Sequence, residues 1–143
     1  LNNKPLKINK LNKSYLVIMD IDKFKNINDT HGHLIGDETL KAVTRIVKNS
    51  IEKDILFARW GGEEFVLFIK DNTYEETQVL INTIRENIER FSFNQVKKVT
   101  SSFGITNCIE DESLDDIIKR ADVALYEAKE NGRNRLVFNT IYK

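Results

Sequence analysis

ARWGGEEFVLF, residues 58–68, sets Gly61-Gly62 and then Glu63-Glu64 between two apolar runs. The flanking segments, Ile55 to Trp60 and Phe65 to Ile69, are strand-like, and paired glycines between such runs signal a tight hairpin because glycine tolerates positive φ. Two negative charges therefore sit just past the turn of a hairpin whose strands belong in a core.

Working outward, Tyr15 to Ile21 (YLVIMDI) is an almost unbroken apolar run, as expected of a strand central in its sheet and covered on both faces. A polar loop with Gly32 and Gly36 follows. Leu40, Val43, Ile46, Val47 and Ile51 then fall at helical spacing, with Asp37 as the expected N-cap. Thr73 and Glu76 form a capping box before Val79, Leu80, Ile84 and Ile88, which predicts a helix to about Phe91. Lys98 to Ile109 reads as a strand. Ser113 and Asp116 open a further helix with Leu114, Ile117, Ile118, Ala121, Leu125 and Ala128 on one face and Gly132 as its stop, and Arg135 to Phe138 reads as a short closing strand. The order β, α, β-hairpin, α, β, α, β argues for one mixed sheet with helices packed on it, an α+β rather than a purely parallel wound architecture.

At 143 residues the chain is the size of one domain, and 41% apolar with 31% charged residues is ordinary globular composition. Residues 1–13, polar and rich in Lys and Asn, read as a linker or N-terminal arm, and residues 14–143 as the domain. Lys plus Arg and Asp plus Glu are both 22, so no overall field favours nucleic acid or an anionic membrane, and neither is expected as a partner. The single cysteine, Cys108, can make neither an internal disulfide nor a cysteine-based zinc cage, which fits a reducing, cytoplasmic setting. No apolar run reaches the roughly 18 residues of a membrane helix. The chain begins at Leu1 rather than Met, as expected of a piece of a longer, even membrane-anchored, protein with a sensor or regulatory domain N-terminal to it.

Asp20 and Asp22, two apart near the end of a strand, point to one side of it. If the hairpin pairs beside that strand, three or four carboxylates converge, an arrangement that is costly unless cations neutralise it. Oxygen ligands without His or Cys favour Mg²⁺ or Mn²⁺ over zinc. Taken one at a time, the aspartates also suit a turn and the glutamates a solvated loop end.

RWGGEEF, residues 59–65, resembles the signature of the GGDEF-domain family of diguanylate cyclases in its Glu variant. DIDKFKNINDTHGHLIGDETL, residues 20–40, is similar to that family's first signature, and ADVALYEAKENGRNR, residues 121–135, to its C-terminal one. The resemblance implies a palm-like nucleotidyl cyclase fold with a central, mainly antiparallel sheet, and the joining of two GTP molecules into cyclic di-GMP with release of pyrophosphate. It implies that Asp20, Glu63 and the main-chain carbonyl of Ile21 hold Mg²⁺ or Mn²⁺, and that Glu64 assists at the metal or in activating the attacking 3′-hydroxyl. Asn28 and Asp37 match the guanine-reading positions, although Asn28 also suits a turn and Asp37 a helix cap. Lys129, Arg133, Lys25 and the backbone around Phe24 match the phosphate grip, and Gly61 and Gly62 let phosphate approach the backbone. The resemblance also implies that Asp22 and His33 are placed near the nucleotide. The His31 and His33 pair reads as loop structure rather than a metal site, Trp60 and Phe24 as packing residues, and Arg59 as the anchor of the hairpin.

The resemblance further implies that catalysis needs a second copy of the domain presenting its own GTP. The sequence departs from the family where many members carry an Arg-x-x-Asp product-binding motif: SIEKDILFARWGG, residues 50–62, has no Arg before Arg59, so no inhibition through that site is expected. LNNK, residues 1–4, is similar to the tail of another family motif. The alternatives are a catalytically silent GTP-sensing or protein-interaction module and a cyclase that closes a single nucleotide.

Overall fold

The computed structural model describes residues 14–141; the expected arm at residues 1–13 lies outside them. Strand β1 (Tyr15–Ile21) is followed by helices α1 (Phe24–His31) and α2 (His33–Ser50), the hairpin β2 (Leu56–Gly61) and β3 (Glu64–Ile69), helix α3 (Tyr74–Arg90), strand β4 (Ser101–Asn107), helix α4 (Leu114–Glu130) and strand β5 (Leu136–Phe138). The sheet order is β2-β3-β1-β4-β5. Among the described residues only the β4–β5 pairing is parallel. The expected α+β architecture with a mainly antiparallel sheet is the one observed, and every residue of β1 is buried.

Strand periodicity divides the sheet between two cores. Val17, Met19 and Ile21 of β1, with Phe65, Leu67, Phe103 and Ile105, pack against residues of α1, α2 and α3. Leu16 and Ile18 face the other way, onto Ile117, Ala121 and Leu125 of α4. Each such side chain, fully buried, contributes roughly 1.5–3 kcal/mol. Gly104 is what lets α4 lie so close to the sheet: a Cβ there would stand 2.2 Å from Ala121 O and 2.4 Å from Leu125 N.

The capping box forms as expected, with Glu76 N–H donating to Thr73 Oγ1 at 3.0 Å and Thr73 N–H to Glu76 Oε1 at 2.9 Å. Ser113 caps α4 by accepting from Asp116 N–H, and Gly132, at φ 123, follows its end. Several expectations are corrected. The polar loop after β1 is largely α1, a helix with only Phe24 and Ile27 buried and no side-chain cap, so it carries neither a strong apolar period nor a start signal. Gly32, not Asp37, caps α2, and Asp37 lies inside the helix. The strand expected over Lys98 to Ile109 is confined to Ser101–Asn107. Val79 and Leu114, assigned to apolar faces, are 66% and 61% exposed, and α3 buries Ile81, Ile84 and Ile88. No described helix is long and apolar enough to cross a membrane.

Candidate active site

The turn of the β2–β3 hairpin is built on Gly62 and Glu63, since Gly61 pairs with Glu64 across it, and only Gly62 has a positive φ, at 45. Arg59 Nε donates to Gly62 O at 2.8 Å, which anchors the tip as expected. A register shift between Arg59 and Gly61 sets Trp60 into a bulge, and that side chain, expected to pack, is 55% exposed.

The register between β3 and β1 brings the hairpin tip to the end of β1 that carries Asp20. Glu64 stands directly opposite Asp20, and Ile21 N–H donates to Glu63 O at 3.3 Å. Asp20 is only 4% exposed. Lys129, in the last turn of α4, donates to Asp20 Oδ2, while Asp20 Oδ1 is buried without a hydrogen-bond partner. Burial pushes the Asp20 carboxyl up from 3.8 to about 6; the Lys129 hydrogen bond and charge oppose this, and Glu63 and Glu64 add to it.

Asp22 does not join that group. Both its oxygens are committed, one to Ser102 Oγ at 2.6 Å, the other to Thr100 Oγ1 at 2.7 Å and Asn134 N–H at 3.0 Å. Of the expected group of carboxylates, what is found is Glu63 and Glu64 near enough to Asp20 for their charges to raise its carboxyl. Among the described residues no three His, Cys, Asp or Glu side chains gather into a metal-holding cluster. Even so, a buried, partnerless carboxylate oxygen beside two further carboxylates is the donor set that a hard divalent cation satisfies, so these residues fit Mg²⁺ or Mn²⁺.

Of the guanine candidates, Asn28 lies where α1 packs on α2. Asn28 is half-buried against Gly36, where an added Cβ would stand 1.8 Å from Asn28 Oδ1, and Asp37 follows Gly36 on the exposed side. Phe24 is a core residue, 9% exposed, and opens α1, so the N–H groups of its first turn have no intrahelical acceptor and suit an anion. Lys25 is taken by Asp29 at 3.0 Å in an exposed pair. Arg133 lines a cleft of about 420 Å³ together with Asp22, Lys23, Asn26, His31 and Lys98. His33 is exposed at the start of α2.

Sequence reasoning missed Thr100, Ser102 and Asn134 as the partners of Asp22. They lie 78, 80 and 112 residues from it, and no local pattern joins them. Asn134 does fall within the C-terminal stretch ADVALYEAKENGRNR, which was the only signal.

Residues 3–135 match the family described as "Diguanylate cyclase, GGDEF domain". The chain is 41% identical over 122 residues to diguanylate cyclase DgcM of Escherichia coli, covering 85% of this chain and 30% of that protein. It thus spans about a third of the length of that curated relative. Among solved structures, the active GGEEF domain of a diguanylate cyclase from Vibrio cholerae superimposes with a TM-score of 0.83 at 32% identity, covering 90% of this chain and 84% of the other. The GGDEF domain of DgcB from Caulobacter crescentus, solved in complex with c-di-GMP, gives 0.82 at 30% identity, covering 88% and 77%.

Proposed function

Because the chain belongs to the GGDEF-domain family of diguanylate cyclases, we propose that it condenses two GTP molecules into cyclic di-GMP with release of pyrophosphate, dependent on a divalent cation and active as a pair of domains. The observation that carries this reading is Asp20, a buried carboxylate with one oxygen unpartnered, set opposite Glu64 and beside the Glu63 turn. Asp20 Oδ1, Glu63 and the Ile21 carbonyl would hold Mg²⁺ or Mn²⁺. When bound, such a cation lowers the pKa of an attacking hydroxyl and offsets charge on the triphosphate.

The chain's own residues account for the rest. Asn28 and Asp37 present an amide and a carboxylate, suited to the guanine edge because a carboxylate accepts from N1–H and the 2-amino group. The free N–H groups at the start of α1, with Lys129 and Arg133, hold the phosphates, and Gly61 and Gly62 leave the hairpin tip without side chains there. Lys25 reaches the same region if it leaves Asp29. Glu64 takes up the proton of the 3′-hydroxyl or supports the cation. The 3′-oxygen bonds to the α-phosphorus of the second nucleotide as the bond to the β-phosphate oxygen breaks, and the same step in the opposite sense closes the ring.

One domain holds one GTP, so a second copy must present the other. A regulatory domain elsewhere in a longer protein would bring the copies together in the cytoplasm, where GTP is supplied. The test is incubation with GTP and Mg²⁺ or Mn²⁺ over a wide range of protein concentration, with products resolved by chromatography and mass. Cyclic di-GMP whose yield per protein rises with concentration supports the reaction and the paired site. GTP bound but unchanged, even under enforced dimerisation, leaves a silent GTP-sensing module, and a cyclic mononucleotide would reassign the reaction.

A further inference from the structure

The segment after α4 runs through three successive residues of positive φ: Gly132 at 123, Arg133 at 63 and Asn134 at 49. Left-handed backbone costs a residue with a side chain roughly 1–2 kcal/mol, so the conformation of Arg133 and Asn134 persists only where neighbours enforce it. Arg133 N–H donates to Ala128 O at 2.9 Å, which ties the first half of the loop to the helix end. The second half is held by Arg135, whose Nε donates to Arg133 O at 3.1 Å and whose carbonyl accepts from Phe103 N–H at 2.9 Å, and by Asn134.

Asn134 uses its backbone and both ends of its side chain. Its N–H donates to Asp22 Oδ2 at 3.0 Å, its Oδ1 accepts from Arg85 Nη1 at 3.0 Å, and its Nδ2 donates to Glu89 Oε2 at 3.0 Å. The two α3 partners are themselves fixed. Arg85 bonds to Asn82 Oδ1 at 2.9 Å and to Glu89 Oε1 at 3.2 Å, and Lys98 lies 2.9 Å from Glu89 Oε2. These donors, Lys98 first, hold the Glu89 carboxyl below its ordinary value. Asp22, on the other side, is locked by Thr100 and Ser102.

Arg133 stands in contrast. Among the described residues its guanidinium has no hydrogen bond and no ion pair, and it lines the cleft with Lys23 and Lys98. A free cation on a tightly braced backbone is arranged to meet an anion that arrives.

We propose that Asn134 is a positioning residue: braced by Arg85 and Glu89 of α3, it fixes the left-handed loop that presents Arg133 to the phosphates of a bound nucleotide. This rests on the reading of Arg133 as a phosphate ligand. Its consequence is that α3, which contributes no residue to the cleft lining, sets triphosphate affinity from behind.

The experiment measures binding of 3′-deoxyguanosine triphosphate, which cannot be condensed, with Mg²⁺ by calorimetry. The proteins are the unaltered chain, Asn134→Gly, Arg133→Ala and the double variant. Glycine keeps the left-handed backbone and the N–H to Asp22 and removes only the amide bridge. Losing charge-assisted contacts should weaken binding about tenfold in Arg133→Ala and about fivefold in Asn134→Gly, and the double variant should bind no worse than Arg133→Ala, because two residues acting through one contact are not additive. Arg85→Gln, altered within a stable helix, should reproduce the Asn134→Gly loss with its melting temperature within a few degrees, and carries the test if the glycine variant fails to fold. Unaltered affinity in Asn134→Gly and Arg85→Gln, or losses that multiply independently in the double variant, would overturn the proposal. Unaltered affinity in Arg133→Ala overturns it by a different route, removing the phosphate role of Arg133 while product formation from GTP still decides the reaction itself.

Discussion

Lys129 donates to Asp20 across 109 residues of sequence, so the last turn of one helix supplies the counter-charge of the buried carboxylate on the central strand. The pair leaves Asp20 half-satisfied, with Oδ1 still bare. A group so placed leaves a signature in the pH dependence of stability.

Asp20 titrates at about 6 in the folded chain against 3.8 as its ordinary value. The folded state therefore keeps this proton over an interval in which the unfolded state has released it. The contribution of Asp20 to stability is at its best below 3.8, declines as pH rises towards 6, and stays lost above, by up to roughly 3 kcal/mol. In metal-free buffer, Asp20→Asn should gain stability relative to the unaltered chain as pH rises from about 4 to about 7. Urea midpoints for the two proteins that keep a constant separation over that range would refute the shift. Lys129→Met should move the decline to still higher pH, because Lys129 is what holds the Asp20 carboxyl down.

Gly36→Ala is expected to separate binding from folding. Its Cβ would meet the Asn28 amide at 1.8 Å, and that amide is a side-chain end able to rotate away. The helix itself gains, since Ala is favoured over Gly in a helix interior by roughly 0.5–1 kcal/mol. Thermal unfolding should be unchanged or higher while the preference for GTP over ATP falls at least several-fold. Full discrimination by a folded Gly36→Ala protein would remove Asn28 from the guanine site.

Gly104→Ala should behave in the opposite way. Its Cβ meets the backbone of α4, at Ala121 O and Leu125 N, and backbone cannot rotate aside. The helix must lift from the sheet, a loss of about 3 kcal/mol by the usual cost of overpacking. Chemical denaturation measures it, and a loss under about 1 kcal/mol would mean that α4 yields more readily than close packing allows.

Glu63→Gln keeps the shape of the hairpin tip and removes one charge. Turnover should fall by about a hundredfold or more, the scale of losing a group that stabilises transition-state charge. The melting temperature should stay within a few degrees, because Glu63 is half-buried at a turn. A variant with undiminished turnover would exclude Glu63 as a ligand.

The parts of this site legible in the sequence were those carried by short-range pattern. The parity of β1, the glycines of the hairpin and the capping box of Thr73 and Glu76 each depend on residues within a few positions of one another. Helix α1 was not legible, because Lys23, which precedes it, supplies no side-chain cap and the helix buries only two of its side chains. Asp37 was misread as a cap for the same reason: with α1 unseen, the helix beyond it was begun too late. Asp22 was placed on the right face by its spacing from Asp20. What removes it from the carboxylate group is three donors contributed by β4, the residue just before it and the loop after α4, and only the folded topology brings those to it.

The position of β1 in the sheet also governs how the protein comes into being on the ribosome. The strand is made before the other described strands, yet its two neighbours begin at residues 64 and 101. Until the second of these emerges, an apolar strand waits with an open edge, the situation in which nascent chains aggregate. Asp20 gains its pairing with Ser102 and its contact with Lys129 only when nearly the whole domain has been made. The sheet and the site are thus completed together, by β4 and α4, and a domain that lacks them has neither.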